Sequence, residues 1–231
     1  MLQNYLNKVV CGDSLELLKE LPDNSIDLIV TDPPYNSSVV EWDNKDDVWQ
    51  VLWLQESYRL LKDGGSMYVF FAPMNMAGVE FFIREHFVLK NILVWFHPNL
   101  YGAGMSYGKD RYKSTWEVCF YAVKGLKSKT NINIQQECWK KYGCSFDVMN
   151  IAAINKNRLH KSQKPLELIK RFVYLSSLEN DIVLDPFMGS GTTGVACKLL
   201  NRNFIGIEQN PDFVDISKNR IDREKVCERY W

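Results

Sequence analysis

Along most of this 231-residue chain, short apolar runs alternate with stretches of helical spacing. The runs lie at residues 8–11, 26–30, 67–71, 89–96, 116–123, 182–184 and 204–207, and each reads as a buried or half-buried strand. Between them, residues 15–21, 49–61, 76–86, 165–175 and 193–200 show helical periodicity, and a last helix starts at Pro211. Ser14 is a candidate cap for the first helix and Asp23-Asn24 its stop signal. Gly64-Gly65 suits a left-handed cap after the second, and Pro165 suits a first turn. This order predicts an α/β fold: a mostly parallel sheet with helices on both faces. Residues 89–96 and 116–123 read as antiparallel neighbours joined by a long loop, giving an antiparallel edge strand. Two stretches break the pattern. Residues 36–47 are polar and read as a loop. Residues 124–159 are basic and hold Trp139, Tyr142 and Phe146 without periodicity, a small recognition insertion in a single domain spanning 1–231. No internal repeat is visible.

Composition adds a packed core, with 46% apolar and 13% aromatic residues. The six cysteines form no C-x-x-C pair, and Cys138 and Cys144 lack His or Cys partners at zinc spacing. No metal site is expected, and a reduced cytoplasmic protein is the plain reading. The N-terminus has no basic and apolar export signal, and Pro73, Asn75 and Glu80 interrupt the best apolar run short of membrane length.

Net charge is zero, yet residues 109–171 hold 14 Lys or Arg against 5 Asp or Glu, a balance of +9, leaving −9 for the rest. Such segregation suits a phosphate-facing surface, with Arg111, Lys113, Lys127, Lys129, Lys140, Lys141 and Arg158 as candidate phosphate contacts on a nucleic acid. A solvated basic loop without a partner is the other reading.

Chemistry concentrates in two segments, each placed where a strand opens into a loop. One is Thr31-Asp32-Pro33-Pro34-Tyr35; the other is Asp185-Pro186-Phe187-Met188-Gly189-Ser190-Gly191-Thr192-Thr193-Gly194. The second satisfies G-x-G-x-x-G and is followed by Glu208, 17 positions after Gly191, formally the fingerprint of a nicotinamide-dependent oxidoreductase. Asp185 argues for another cofactor, because a carboxylate there would repel a pyrophosphate. It suits a cofactor with a cationic amino-acid end and no phosphates, S-adenosylmethionine. Glu208 can then accept from the ribose hydroxyls. No lysine follows the glycines as a P-loop requires.

Taken together the two segments resemble the amino-methyltransferases of DNA, which move a methyl group from S-adenosylmethionine to an exocyclic base nitrogen. The catalytic segment precedes the cofactor segment with the basic insertion between them, the order of the β class. The resemblance covers nearly the whole chain, including Trp42-Asp43, the run from Leu61 to Gly65, and Glu117. It implies the class I methyltransferase (Rossmann-like) fold and a cofactor site lined by Asp185, Phe187, Gly189, Ser190, Gly191 and Thr192. Cys11-Gly12-Asp13-Ser14 is similar to the strand end that holds the cofactor's adenine, although Asp13 or Ser14 also reads as a plain helix cap. The segment His160-Lys161-Ser162-Gln163-Lys164-Pro165 is similar to a family His-Pro-Thr-Gln-Lys-Pro, with Lys161 and Ser162 as departures. The resemblance assigns His160, Ser162 and Lys164 to the cofactor's carboxylate end. Residues His97-Pro98-Asn99-Leu100 depart from the family's Asn-Pro-rich segment, so no target contact carries over there. His86 and His97 read as core or surface residues, since neither has a nucleophile to serve.

The catalytic segment then acquires a chemical reading. An exocyclic amine is a poor nucleophile because its lone pair is delocalised into the ring. Asp32 offers a carboxylate to its protons, the Pro33 carbonyl a second acceptor, and Pro33 and Pro34 stiffen the loop that carries both. Tyr35 offers a flat face for a base taken out of the duplex. Asp-Pro-Pro-Tyr as an ordinary turn is the bland alternative. By resemblance, aspartate at the first position points to adenine N6, with cytosine N4 the alternative. The expected enzyme is an S-adenosylmethionine-dependent DNA (adenine-N6) methyltransferase of a restriction-modification or solitary modification system. Its partners are double-stranded DNA and, by resemblance, a second copy of the chain or a cognate restriction endonuclease, with no membrane. An inactive DNA-binding module stays open as an alternative class.

Overall fold

The structure, a computed structural model, describes residues 2–35, 45–98, 114–128, 147–156, 158–160 and 162–224. In chain order the elements are β1 (Lys8–Cys11), α1 (Ser14–Lys19), β2 (Ile26–Thr31), α2 (Asp47–Leu60), β3 (Leu61–Phe71), α3 (Met76–His86), β4 (Val88–Phe96) and β5 (Trp116–Val123). There follow β6 (Val148–Asn150), α4 (Leu166–Ser176), β7 (Ile182–Asp185), α5 (Thr192–Leu199), β8 (Asn203–Glu208) and α6 (Pro211–Arg223). The strands form one sheet in the order β1-β8-β7-β2-β3-β5-β4-β6.

A strand with apolar side chains on both faces needs a layer on each side. β2 is such a strand, buried at every position, and it lies in the middle of the sheet between β7 and β3. Its side chains alternate: Leu28 and Val30 enter one core with Tyr68, Phe70, Phe172 and Val195. Ile29 enters the other with Met67, Val69, Phe71, Trp53 and Ile83. Helices α4, α5 and α6 thus contribute to the first layer and α1, α2 and α3 to the second. Asp27, the one charge within β2, is buried but satisfied: Lys62 Nζ donates to both its oxygens at 2.8 Å, and the Ile182 N–H to Oδ2 at 3.0 Å.

β1, β8, β7, β2 and β3 are mutually parallel, while β5 runs antiparallel to both β3 and β4. The antiparallel β4–β5 pair agrees with the sequence expectation, but the edge does not. The antiparallel strand, β5, lies between β3 and β4, and three-residue β6 pairs parallel with β4 to form the edge. A second difference concerns the glycines expected to cap α2. The helix ends at Leu60, and Gly64, at φ +77°, lies inside β3. Its N–H donates to the Lys124 carbonyl at 2.8 Å and the Lys124 N–H to the Gly65 carbonyl at 3.0 Å, so this turn belongs to strand pairing. Among the described residues no helix is long and apolar enough to cross a membrane.

Candidate active site

β2 and β7 are adjacent and parallel, so the loops after them leave the same edge of the sheet side by side. They are bonded directly: the Thr31 hydroxyl donates to Asp185 Oδ1 at 2.9 Å. Asp185 also accepts from the Thr193 hydroxyl at 2.6 Å (Oδ2) and from the Phe187 N–H at 3.1 Å (Oδ1), tying the strand end to the first turn of α5. Burial pushes its carboxyl up to about 6 against these three donors. Glu208, at the end of β8, accepts the Gly189 N–H at 2.8 Å and the Asn210 N–H at 2.9 Å, one on each oxygen. Both carboxylates therefore shape the glycine turn through the protein's own N–H and O–H groups.

The two glycines of that turn differ. Gly191, at φ +80°, packs on α6: a Cβ there would lie 2.8 Å from the Ser217 Cβ. Gly189, at φ +51°, is less crowded: among the described residues His160 Nδ1 is the nearest atom to such a Cβ, at 4.0 Å. His160 stacks edge-on against Phe213 at 4.4 Å, and its Nδ1 accepts the Ser162 N–H at 3.1 Å. Phe187 is held between Trp49 and Trp53 at 5.3 and 5.6 Å. Asp13, rather than Ser14, caps α1 through the Leu15 and Glu16 N–H groups, and Ser14 instead donates to the Pro186 carbonyl at 2.5 Å. The chain end of β1 is thereby fastened to the second motif.

Beside this turn, the Asp32–Tyr35 loop is anchored by two side-chain amides. Gln50 donates to the Pro34 carbonyl at 2.7 Å and accepts from the Trp53 indole at 2.8 Å, and Asn75 donates to the Tyr35 carbonyl at 2.8 Å. Among the described residues no donor is bonded to the Pro33 carbonyl. The Tyr35 ring packs against Phe71 at 4.9 Å, while its hydroxyl donates to Asp32 Oδ1 in a short contact and lies 3.2 Å from Glu117 Oε2.

Lys164 completes the cluster. Its buried ammonium lies 2.5 Å from Asp32 Oδ2, 3.1 Å from Glu117 Oε2 and 3.3 Å from the Tyr35 oxygen, and 5.0 and 5.9 Å from the ring centres of Phe70 and Trp95. Burial works against this charge, but Asp32 and Glu117 more than offset it and raise its pKa. Burial likewise holds the Asp32 carboxyl above its usual range, opposed by Lys164 and reinforced by Glu117. Tyr35 is raised well above its usual value by burial and the two carboxylates, so it stays a neutral hydroxyl.

The structure thus gathers Asp32, Tyr35 and Lys164 in one network, and Asp185, Phe187, Gly189–Thr192, Glu208, His160 and Ser14 around the adjoining turn. The Lys164 ammonium, expected at the cofactor's carboxylate, faces Asp32 and Glu117. Among the site residues that carried no assigned role in the sequence are Glu117, Gln50, Asn75 and Arg220. The last bonds the Ser190 carbonyl and the Thr192 hydroxyl at 3.0 and 2.9 Å. A signal existed for two of them, since Glu117 is the single charge in an apolar strand and Gln50 an amide on the apolar face of a helix. His97 is buried, as expected of a core residue. Of the candidate DNA contacts, Lys127 and Arg158 are exposed, whereas Arg111, Lys113, Lys129, Lys140 and Lys141 lie outside the described residues, as do Trp42, Asp43 and Lys161. Among the described residues no three His, Cys, Asp or Glu side chains group as a metal site.

The chain is similar to known proteins along nearly its whole length. The DNA adenine methyltransferase YhdJ of Escherichia coli (strain K12) is 31% identical, aligned over 95% of this chain and 84% of its own. The crystal structure of the M1.HpyAVI–SAM complex superposes with a TM-score of 0.71 at 29% identity, covering 92% of this chain and 98% of its own. The cytosine-N4-specific PvuII DNA methyltransferase has the same fold, with a TM-score of 0.76 at 24% identity over 92% of this chain and 85% of its own. Residues 26–219 match the DNA methylase profile of the N6/N4 methyltransferases, and the chain belongs to that family.

Proposed function

We propose that this chain transfers a methyl group from S-adenosylmethionine to adenine N6 in double-stranded DNA. The observation that carries the reading is the Thr31–Asp185 hydrogen bond, which places the acceptor loop and the glycine turn against each other across 154 residues of sequence. Family membership sets aside the nicotinamide-enzyme alternative that the glycine fingerprint left open.

The glycine turn fits this cofactor. Among the described residues only His160 approaches the space over Gly189, Glu208 accepts the Gly189 N–H, and the nearby Arg220 Nη1 is committed to Ser190 and Thr192. Such a cradle suits a cationic nucleoside without phosphates. Glu208 retains lone pairs for ribose hydroxyls after accepting its two N–H groups. Ser14, Phe187, His160 and Ser162 are the further residues proposed to line this site. S-adenosylmethionine supplies an electrophilic methyl on a sulfonium.

The residues of the first loop prepare the amine. Asp32 and the Pro33 carbonyl accept its two N–H groups, which draws the nitrogen toward tetrahedral geometry and localises its lone pair. The prolines and the Gln50 and Asn75 anchors fix these acceptors in advance, so little reorganisation accompanies the reaction. The raised Asp32 pKa makes its carboxylate a better acceptor for the proton that the methylated amine releases. Aspartate at position 32, together with similarity to a named adenine methyltransferase, favours adenine over cytosine. The basic stretch 109–171 is the proposed phosphate surface. The test is mass spectrometry of nucleosides from DNA of a methylation-free host expressing the chain. N6-methyladenine is expected; N4-methylcytosine alone would overturn the base assignment, and neither base would overturn the activity.

A further inference from the structure

One carboxylate would suffice to take the amine proton, which leaves Glu117 without a task. Its position is nevertheless costly: a carboxylate on β5, 23% exposed, beside apolar neighbours that include Cys119 and Trp116. What it faces explains the placement. Tyr35 has a single hydroxyl proton and two carboxylate oxygens within reach, Asp32 Oδ1 and, at 3.2 Å, Glu117 Oε2. A hydroxyl so placed accepts from one neighbour while donating to the other. Lys164 reaches Asp32, Glu117 and the Tyr35 oxygen at 2.5, 3.1 and 3.3 Å, so one ammonium sets the spacing of all three. Two other titratable groups nearby stand outside this chain of bonds. Burial raises the Cys119 thiol well above its usual value and lowers the His97 imidazole, whose Nδ1 meets no hydrogen-bond partner among the described residues.

We propose that Glu117 is the second proton acceptor of the active site, reached from Asp32 through the Tyr35 hydroxyl. The inference rests on the methyltransferase reading. As the amine nitrogen bonds the methyl carbon, the carbon–sulfur pair stays on sulfur and the nitrogen becomes cationic. Its N–H bond then breaks toward Asp32, leaving a neutral methylamine. Asp32 passes its proton to the Tyr35 oxygen while the Tyr35 proton moves to Glu117 Oε2, so tyrosine stays neutral throughout. Glu117 releases the proton to water, and Asp32 is again an anion for the next amine. In this scheme Tyr35 contributes its hydroxyl as well as its ring face.

The test compares wild type, Glu117→Gln, Tyr35→Phe and the double variant. Two readouts serve: single-turnover transfer of labelled methyl to plasmid DNA from a methylation-free host, and calorimetric affinity for S-adenosylhomocysteine. Each single substitution should slow transfer roughly tenfold to a hundredfold, at or below the usual range of acid–base contributions. The double variant should be no slower than the slower single one, because both break the same relay. S-adenosylhomocysteine affinity should stay within about twofold, and Glu117→Asp, which keeps the carboxylate, should recover part of the rate. Wild-type turnover in Glu117→Gln would overturn the proposal. So would losses that multiply in the double variant, or loss of cofactor affinity, since these mark independent or structural roles. A wild-type chain that methylates no DNA removes the methyltransferase reading itself, a different outcome from an active enzyme indifferent to Glu117.

Discussion

Asp185 holds the two motifs together while carrying a charge in a dry place, and replacing it by asparagine separates these effects. Its carboxyl titrates near 6 in the folded chain against an ordinary 3.8, burial outweighing the donors Thr193, Thr31 and the Phe187 N–H. The folded state therefore binds this proton more tightly than the unfolded one. Asp185 contributes stability that is complete below 3.8 and is lost as pH rises through about 6. That gap, at about 1.4 kcal/mol per decade, amounts to about 3 kcal/mol, of which about 2 falls between roughly pH 4.5 and pH 7.5. An amide does not titrate, and the other carboxylates are common to both chains. Urea unfolding across this range should show the stability of wild type minus that of Asp185→Asn declining by about 2 kcal/mol as pH rises. Cofactor affinity should fall in the variant, whose one acceptor oxygen replaces two serving three donors. A stability difference that is flat or rises with pH would refute the argument that burial governs this group.

The turn glycines should separate binding from folding. Gly189→Ala is expected to cost about 1–2 kcal/mol from its positive φ and to weaken S-adenosylhomocysteine binding by calorimetry. Gly191→Ala should lower thermal stability further, since its methyl also meets Ser217. On the DNA side, replacing Lys127, Lys129, Lys140 and Lys141 together by Gln should flatten the salt dependence of DNA affinity. The expected change is about 0.9 log units per log salt for each phosphate that is no longer neutralised, and an unchanged slope would leave this stretch a solvated loop. Lys124 belongs to the same basic stretch but is buried against Asn24 and the Leu61 carbonyl at 2.8 Å. Lys124→Met should therefore reduce stability in urea and leave the salt slope alone.

How far the chain could be read from its residues depended on whether the cause was local. β2 and β7 were legible because their runs are apolar on both faces, and Asp32–Tyr35 because two prolines after a strand leave few conformations. β6 carried no such signal: Val148, Met149 and Asn150 form a strand only because β4 offers an edge to pair with. The first half of β3 was hidden for the same reason, since the run from Lys62 to Gly65 reads as a turn until the Lys124 backbone pairs with Gly64 and Gly65. The chemistry divides along the same line. Asp185 and the glycines announce themselves by spacing, whereas Asp32, Glu117 and Lys164 meet only after β2, β5 and the start of α4 have been brought together by the sheet order. The placement of Lys164 beside two carboxylates follows from that assembly and from no local pattern.

The central claim is that Asp32 acts on the amine rather than on the cofactor or the fold. Asp32→Ala leaves Lys164 its second carboxylate, Glu117 at 3.1 Å, so no buried charge is orphaned and the chain should fold. The decisive measurement is single-turnover methyl transfer from S-adenosylmethionine to duplex DNA by this variant, beside its affinity for S-adenosylhomocysteine. A rate reduced more than about a hundredfold, roughly 3 kcal/mol of barrier, with affinity unchanged is the predicted result. Transfer at near the wild-type rate would contradict it.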